Sequence, residues 1–164
     1  MRYLLTFCVF LLGPNVFGQD SDFLFGSVTI PELSMTRFEM DTSAAAVVLK
    51  EFGYARLSSD PPYNLIFEHH IRIKILRTDA LDRGNVSIVL RHFSPQQVEY
   101  LQEIQASSFR LTTTGIEEAK LEKQHMFKER HPDYEVVKLA IPNVQIGSVL
   151  EIRYVLETPD YFNF

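Results

Sequence analysis

The residues best suited to chemistry stand together as Glu68-His69-His70, near the start of the stretch IFEHHIRIKIL. Carboxylate and imidazole groups are common zinc ligands, so a small metal hydrolase is the first chemistry to consider. Apolar residues and His69 alternate with polar residues from Phe67 to Ile75, which predicts a β-strand. Neighbouring side chains on a strand point to opposite faces, so His69 and His70 cannot both reach one ion. Glu68 and His70 share a face but supply only two ligands, where three or four are needed.

The other histidines stand at no recognisable ligand spacing, and the sequence contains no helical HExxH motif. We therefore predict no metal site. On the predicted strand, His69 lies on the apolar face, where we expect a half-buried residue with one hydrogen bond. The opposite face carries Glu68, His70, Arg72 and Lys74, and we expect His70 to be solvated among these charged neighbours.

Other catalytic signatures are equally lacking from the sequence. Cys8 is the only cysteine, there is no G-x-S-x-G motif, and the seven glycines form no phosphate-binding or dinucleotide-binding loop. The adjacent carboxylates Glu117 and Glu118 fall in a charged stretch that is typical of a solvated face. We predict no catalytic residue, no cofactor and no enzymatic activity.

The N-terminus has the pattern of a secretory signal peptide. Arg2 precedes the apolar run Tyr3 to Leu12, and Val16-Phe17-Gly18 offers small residues at the positions that a signal peptidase reads. The run is too short to span a bilayer, which needs about 20 residues. We predict a signal peptide at residues 1–18, cleavage near Gly18, and one domain at residues 19–164 in the periplasm or on the cell surface.

The charge balance excludes two classes of partner. Loss of Arg2 with the leader leaves 15 basic and 21 acidic residues, without a basic block that could neutralise nucleic-acid phosphates. No cationic amphipathic segment suits a membrane surface. We predict neither nucleic-acid binding nor a membrane span.

Most of the chain is patterned as short strands. The clearest are residues 66–76, 86–93, 134–141 and 148–159, each bounded by Gly, Pro or Asn. The piece FGSVTIPELSM is expected to be extended, with Pro31 interrupting any ladder.

Three further stretches are less regular. DTSAAAVVLKEFG is expected to form a short helical turn at its start and a strand soon after. Residues 96–111 fit a strand better than a helix. Residues 116–130 are compatible with either a short strand or a helical turn. We predict an all-β antiparallel β-sandwich with short helical turns, and a closed barrel is the alternative.

Three segments taken in order carry a resemblance: SAAAVVLKEFGYA, HIRIKIL and AIPNVQIGSVLEIRYVLETP. Together they resemble the N-terminal domain of unknown function that precedes a transglutaminase-like domain in many exported bacterial proteins. The resemblance runs from about Phe25 to Phe162. It implies a β-sandwich, export, and catalytic residues that belong to the downstream domain. In the last segment, Pro142 and Asn143 turn the chain, and Gly147 is expected to take a positive φ.

The chain departs from the family pattern by stopping at Phe164. Its aromatic ending, Tyr161, Phe162 and Phe164, predicts that partner surface is missing, since a free C-terminus is usually polar. A fragment, a split gene and a short paralogue all fit. The leading hypothesis is a non-catalytic module that docks through these aromatics on a transglutaminase- or peptidase-like domain in the same or a neighbouring chain. The alternative is a module that binds cell-envelope glycan or peptide.

Overall fold

The computed structural model describes residues 23–160, in which nine strands form two antiparallel sheets. The larger sheet has the order β1-β2-β9-β5-β6, and the smaller has the order β4-β3-β8-β7. The predicted all-β antiparallel sandwich is confirmed. The strands are β1 (Ala46–Leu57), β2 (Leu65–Ile75), β3 (Asn85–Ser94), β4 (Gln97–Val98), β5 (Tyr100–Thr112), β6 (Gly115–Lys120), β7 (Met126–Arg130), β8 (Tyr134–Ala140) and β9 (Val149–Thr158).

The core lies between the two sheets. β2 and β9 pair so that Ile71 stands opposite Ile152 and Ile73 opposite Leu150, which gathers their apolar residues on one face. We call this the inner face of the five-stranded sheet, and the opposite side its outer face. The inner face packs against the buried residues of β3 and β8, which are Ile88, Leu90, Val137 and Leu139.

The connection before β9 forms as its turn residues predict. Gly147 has a φ of +89°, which confirms the expected left-handed conformation, and Asn143 has a φ of 56°. The turn brings Gly147 N–H within 2.9 Å of Ile75 O and so ties the start of β9 to the end of β2.

The expected extended piece at FGSVTIPELSM is wrong, because it contains the helix α1 (Ile30–Ser34). Thr29 caps this helix, and Glu32 accepts a hydrogen bond from Thr29 N–H at 2.6 Å in a reciprocal capping box. Pro31 lies in the first turn, where its missing N–H is not needed. A helix therefore forms where proline alone suggested an interrupted strand.

The irregular stretches are strands with short turns. Residues 100–112 form β5, in which a register shift between Leu101 and Glu103 breaks the alternation that identifies a strand in sequence. Residues 115–130 form β6, the 3₁₀ turn Lys123–His125 and β7.

No helix within residues 23–160 is long and apolar enough to cross a membrane. The predicted signal peptide at residues 1–18 and the aromatic residues Tyr161, Phe162 and Phe164 lie outside the described residues.

Candidate functional site

Charged residues of β2 and β9 meet on the outer face of the five-stranded sheet. The register places Arg72 opposite Glu151 and His70 opposite Arg153. Directly opposed residues of antiparallel strands lie on the same face, so the two rows of polar side chains form one patch. The strand pattern in the sequence predicts which residues share this face, and the structure confirms it.

The prediction that His70 is solvated is wrong. Its exposed fraction is 4%, that of Arg72 is 1%, and Lys74 and Glu151 have none. Residues 23–34, comprising an irregular stretch and α1, lie across this half of the outer face and exclude water. The alternation of β2 is equally compatible with a polar face covered by another segment, so the sequence pattern alone could not reveal the burial.

Glu151 is the centre of the buried group. One carboxylate oxygen, Oε1, lies 2.8 Å from His70 Nε2 and accepts a hydrogen bond of 2.8 Å from Arg72 Nη2. The other, Oε2, accepts the Gly26 backbone N–H at 2.9 Å. We call His70, Arg72, Lys74, Glu151 and Glu32 the charge cluster. Glu32 stays 16% exposed, whereas the other four groups are withdrawn from water and depend on their partners to offset the cost of desolvation.

Arg72 connects the sheet to residues 23–34, which we call the covering segment. Its guanidinium forms a 3.0 Å ion pair with Glu32 of α1 and donates to the carbonyl oxygens of Ser27 and Leu24 at 3.3 and 3.4 Å. The Phe23 ring stacks on His70 with a centroid separation of 3.8 Å, and the Arg72 guanidinium carbon lies 5.5 Å from the same ring centroid. Phe25 also stacks on His70, at a centroid separation of 5.9 Å, so polar contacts and two aromatic rings hold the covering segment.

Lys74 fixes the far end of the covering segment. Its ammonium group donates to Leu33 O at 2.6 Å and to Gly147 O at 2.5 Å, which joins α1 to the turn before β9. Burial lowers the pKa of Lys74 to about 8, because a low-dielectric site disfavours the charged form.

Burial also lowers the pKa of His70, even though the neighbouring Glu151 acts in the opposite direction. The imidazole is therefore neutral at pH 7, and Nε2 carries the proton that it donates to Glu151. This buried His–Glu pair has the chemistry of an orienting contact, in which the carboxylate fixes one imidazole tautomer.

An apolar patch completes the attachment of residues 23–34. Val28 and Leu33 are buried against Phe109 of β5 and Val149 of β9, and Leu49 packs beside them. Removing such side chains from water stabilises the covered state by about 1.5–3 kcal/mol each. This apolar contact offsets part of the cost of burying the charges beneath the same segment.

The two residues considered as metal ligands are not brought together. Glu68 accepts a hydrogen bond from Arg153 Nε at 2.6 Å, whereas His70 is bound to Glu151. Among residues 23–160, no group of three or more His, Cys, Asp or Glu side chains is arranged to hold an ion.

His69 lies on the inner face, where the sequence placed it. Its Nε2 is 2.8 Å from Glu51 Oε1, its side chain is 22% exposed, and its ring packs near Phe67 and Tyr154. The expected half-buried histidine with a hydrogen bond is confirmed.

The other half of the outer face is open and forms a groove of about 520 Å³. Arg153 lies within it and pairs with Glu68 at 2.6 Å and with Glu103 at 3.0 Å. Tyr54, about half exposed, stands at the β1 side. An aromatic ring beside planar charged groups can bind a polar ligand by stacking and hydrogen bonding. The groove is lined by Tyr54, Arg56, Ile66, Glu68, Gln102, Glu103, Arg153 and Val155.

This groove is not apparent from the sequence. Alternation on β2 and β9 places Glu68 and Arg153 on polar faces, but their contact is diagonal and depends on the strand register, which sets Arg153 opposite His70. Gln102 and Glu103 lie at the register shift of β5, where alternation fails. No local signal in the sequence joins these residues.

The fold and the outer face define a two-sheet antiparallel β domain whose N-terminal segment covers half of one sheet. No family model and no curated protein matches its sequence. Among solved structures, the chain is similar to a protein from Parabacteroides distasonis ATCC 8503 described as a "putative protease". The TM-score is 0.54 and the identity is 14%, over 73% of this chain and 24% of that one. The likeness shows a shared fold, and this chain spans about a quarter of the length of that protein.

Proposed function

We propose that the domain is a non-catalytic module of an exported bacterial protein, accessory to a transglutaminase- or peptidase-like domain in the same or a neighbouring chain. The observation that carries the proposal is the shared fold with 24% of the Parabacteroides distasonis protein. Most of that protein lies outside the likeness, so a domain of this fold is one part of a larger molecule. The resemblance of the segments SAAAVVLKEFGYA and AIPNVQIGSVLEIRYVLETP to such N-terminal domains agrees with this role.

The site chemistry also supports an accessory role. The groups that most resemble catalytic residues, His70 and Glu151, are buried beneath residues 23–34. Their hydrogen bonds go to each other, to Arg72 and to the Gly26 N–H. These contacts stabilise the covering segment, and general acid–base catalysis would instead require them to reach a substrate.

Cross-linking in the envelope fraction of the host tests the accessory role. A lysine-reactive reagent would modify Lys120 and Lys128, whose side chains are 74% and 59% exposed. Mass spectrometry is expected to find them linked to peptides of a transglutaminase- or peptidase-like domain. The buried Lys74 is an internal control, which should remain unmodified. Peptide hydrolysis by purified residues 19–164, or links to unrelated proteins alone, would overturn the proposal.

The groove supports a second candidate function, binding of a cell-envelope glycan or peptide. Tyr54 and Arg153 there combine an aromatic face with fixed hydrogen-bonding groups. Titration calorimetry with peptidoglycan fragments and envelope polysaccharides would test it. Tyr54→Ala is expected to weaken binding about threefold to tenfold. Tyr134→Ala, on β8 outside the groove, is the matched control. Absence of heat with the unmodified protein would dismiss this candidate.

A further inference from the structure

The edge strand β1 is unusually open. Its residues Glu51–Leu57 are all exposed, and β2 is its neighbour on one side. Within residues 23–160, no strand pairs with its other side. Along this run the backbone N–H and C=O groups of the free edge are therefore available to a further strand.

The three other sheet edges carry features that discourage such pairing. β4 has two residues, and β6 and β7 have six and five. β6 carries Glu117, Glu118 and Lys120, and β7 carries Lys128, Glu129 and Arg130. Short strands and charged side chains are the usual protection of an edge. β1 has twelve residues, and its exposed side chains include the aromatic rings of Phe52 and Tyr54.

We propose that β1 pairs antiparallel with β1 of a second copy of this chain, around a two-fold axis at Tyr54. The two five-stranded sheets then join into one continuous sheet. This interface is independent of the proposed accessory role.

The exposed run Glu51–Leu57 is suited to pairing with the same run of a second copy. Tyr54 is the midpoint of Glu51–Leu57, so a two-fold axis at this residue pairs the whole run with itself. The pairing of β1 with β2 is regular from Lys50 to Leu57, and the irregularity at Val48 to Lys50 lies outside the run. The run can therefore form an uninterrupted second ladder.

The side chains complement one another in this register. Tyr54 stands opposite the partner's Tyr54, and Phe52 opposite the partner's Arg56, a cation–π pair that occurs twice. Glu51 stands opposite the partner's Leu57. No like charges oppose each other. An axis at Gly53 would oppose Lys50 to the partner's Arg56, and an axis at Glu51 would oppose two carboxylates, both of which destabilise a ladder.

Cysteine cross-linking tests the axis directly, in a full chain carrying Cys8→Ser. With Tyr54→Cys, the two thiols lie on directly opposite residues, whose Cα atoms are about 4.5–5.5 Å apart, within reach of a disulfide. With Phe52→Cys, the two thiols lie four residues apart along the ladder, about 13 Å, beyond that reach. Tyr54 and Phe52 are 52% and 48% exposed, so their accessibility is matched.

Oxidation is expected to give a disulfide-linked dimer with Tyr54→Cys and a monomer with Phe52→Cys. A dimer with Phe52→Cys alone, or equal cross-linking of both, would overturn the register. Far-UV circular dichroism checks that both variants fold.

Sedimentation of the Cys8→Ser chain tests the association itself. Pairing of the run Glu51–Leu57 alone forms a small interface, which is expected to be weak, so the protein concentration should reach about 1 mM. Phe52→Lys places a cation opposite the partner's Arg56 and is expected to weaken dimerisation about tenfold or more. Phe52→Glu places an anion there and should retain the dimer. Phe127→Lys, at an exposed position of the edge strand β7, is the matched control and should dimerise like the parent. A parent that stays monomeric, or equal loss with both Phe52 variants, would overturn the proposal.

Discussion

His70 Nε2 lies 2.8 Å from Glu151 Oε1, and the side chains are 5% and 0% exposed. This pair lies on the face of β2 and β9 that points away from the second sheet. Such a face normally meets solvent in an antiparallel sandwich. Here residues 23–34 cover it, so a polar cluster takes the place of an exposed surface.

Replacing Glu151 by alanine is expected to destabilise the domain strongly. The substitution leaves Arg72 buried without its closest carboxylate and removes the acceptor of the Gly26 N–H. Breaking a buried ion pair from one side costs about 3–5 kcal/mol. Urea unfolding followed by circular dichroism measures the change in the free energy of unfolding.

The matched control for this prediction is Glu117→Ala. Glu117 pairs with Arg110 at 2.6 Å on the exposed hairpin of β5 and β6. An exposed pair contributes about 1 kcal/mol or less. Equal losses for Glu151→Ala and Glu117→Ala would contradict the burial of the charge cluster.

Acid is expected to weaken the domain through His70. Its pKa in the folded protein is lowered below the unfolded value of 6.5, so the unfolded chain binds the proton more tightly. The stabilisation is present above pH 6.5 and is lost as the pH falls toward the lowered value. His70→Gln retains an N–H donor for Glu151 but does not titrate. Its free energy of unfolding should therefore fall less than that of the parent between pH 7 and pH 5, and identical slopes would refute the prediction.

Alkali is expected to strengthen the domain through Lys74. Burial lowers its pKa from 10.5 to about 8, so between these values the unfolded chain holds a proton that the folded chain has released. The free energy of unfolding should rise over this interval by up to about 3 kcal/mol, at about 1.4 kcal/mol for each pKa unit. Lys74→Met should remove that rise. Urea titrations at pH 7.5, 8.5 and 9.5 supply the slopes, and a rise that persists in Lys74→Met would exclude this lysine as its source.

Thr29→Ala is expected to cost about 1 kcal/mol, because the cap of α1 loses its hydroxyl acceptor for the Glu32 N–H. Thermal unfolding measures the loss. Thr36→Ala, in the segment just after the helix, offers a threonine outside the cap and should change the midpoint little. A midpoint that falls equally in both variants would argue against the capping box.

The strand patterns predicted the fold and the facing of β2 and β9, because alternation records which side chains share a face. They did not predict that residues 23–34 bury His70, Arg72 and Lys74. The signal for α1 was present in Thr29-Ile30-Pro31-Glu32, a capping sequence with proline in the first turn. The position at which α1 packs on the sheet could not be predicted from the sequence, because it depends on contacts between residues up to 125 positions apart, such as Gly26 and Glu151.

The groove was unpredictable for a related reason. Its residues come from four strands, and the register shift of β5 sets the position of Glu103. Local periodicity contains no information on that shift.

The contacts of the charge cluster with residues 23–34 should hold that segment on the outer face, and amide hydrogen exchange measures whether they do. Gly26 N–H donates to Glu151 and Leu33 N–H donates to Thr29 O within this segment. We expect slow exchange at both amides in the parent protein. In Glu151→Ala we expect much faster exchange there, while Val137 of β8 remains protected. Rapid exchange at Gly26 and Leu33 in the parent protein would contradict the claim.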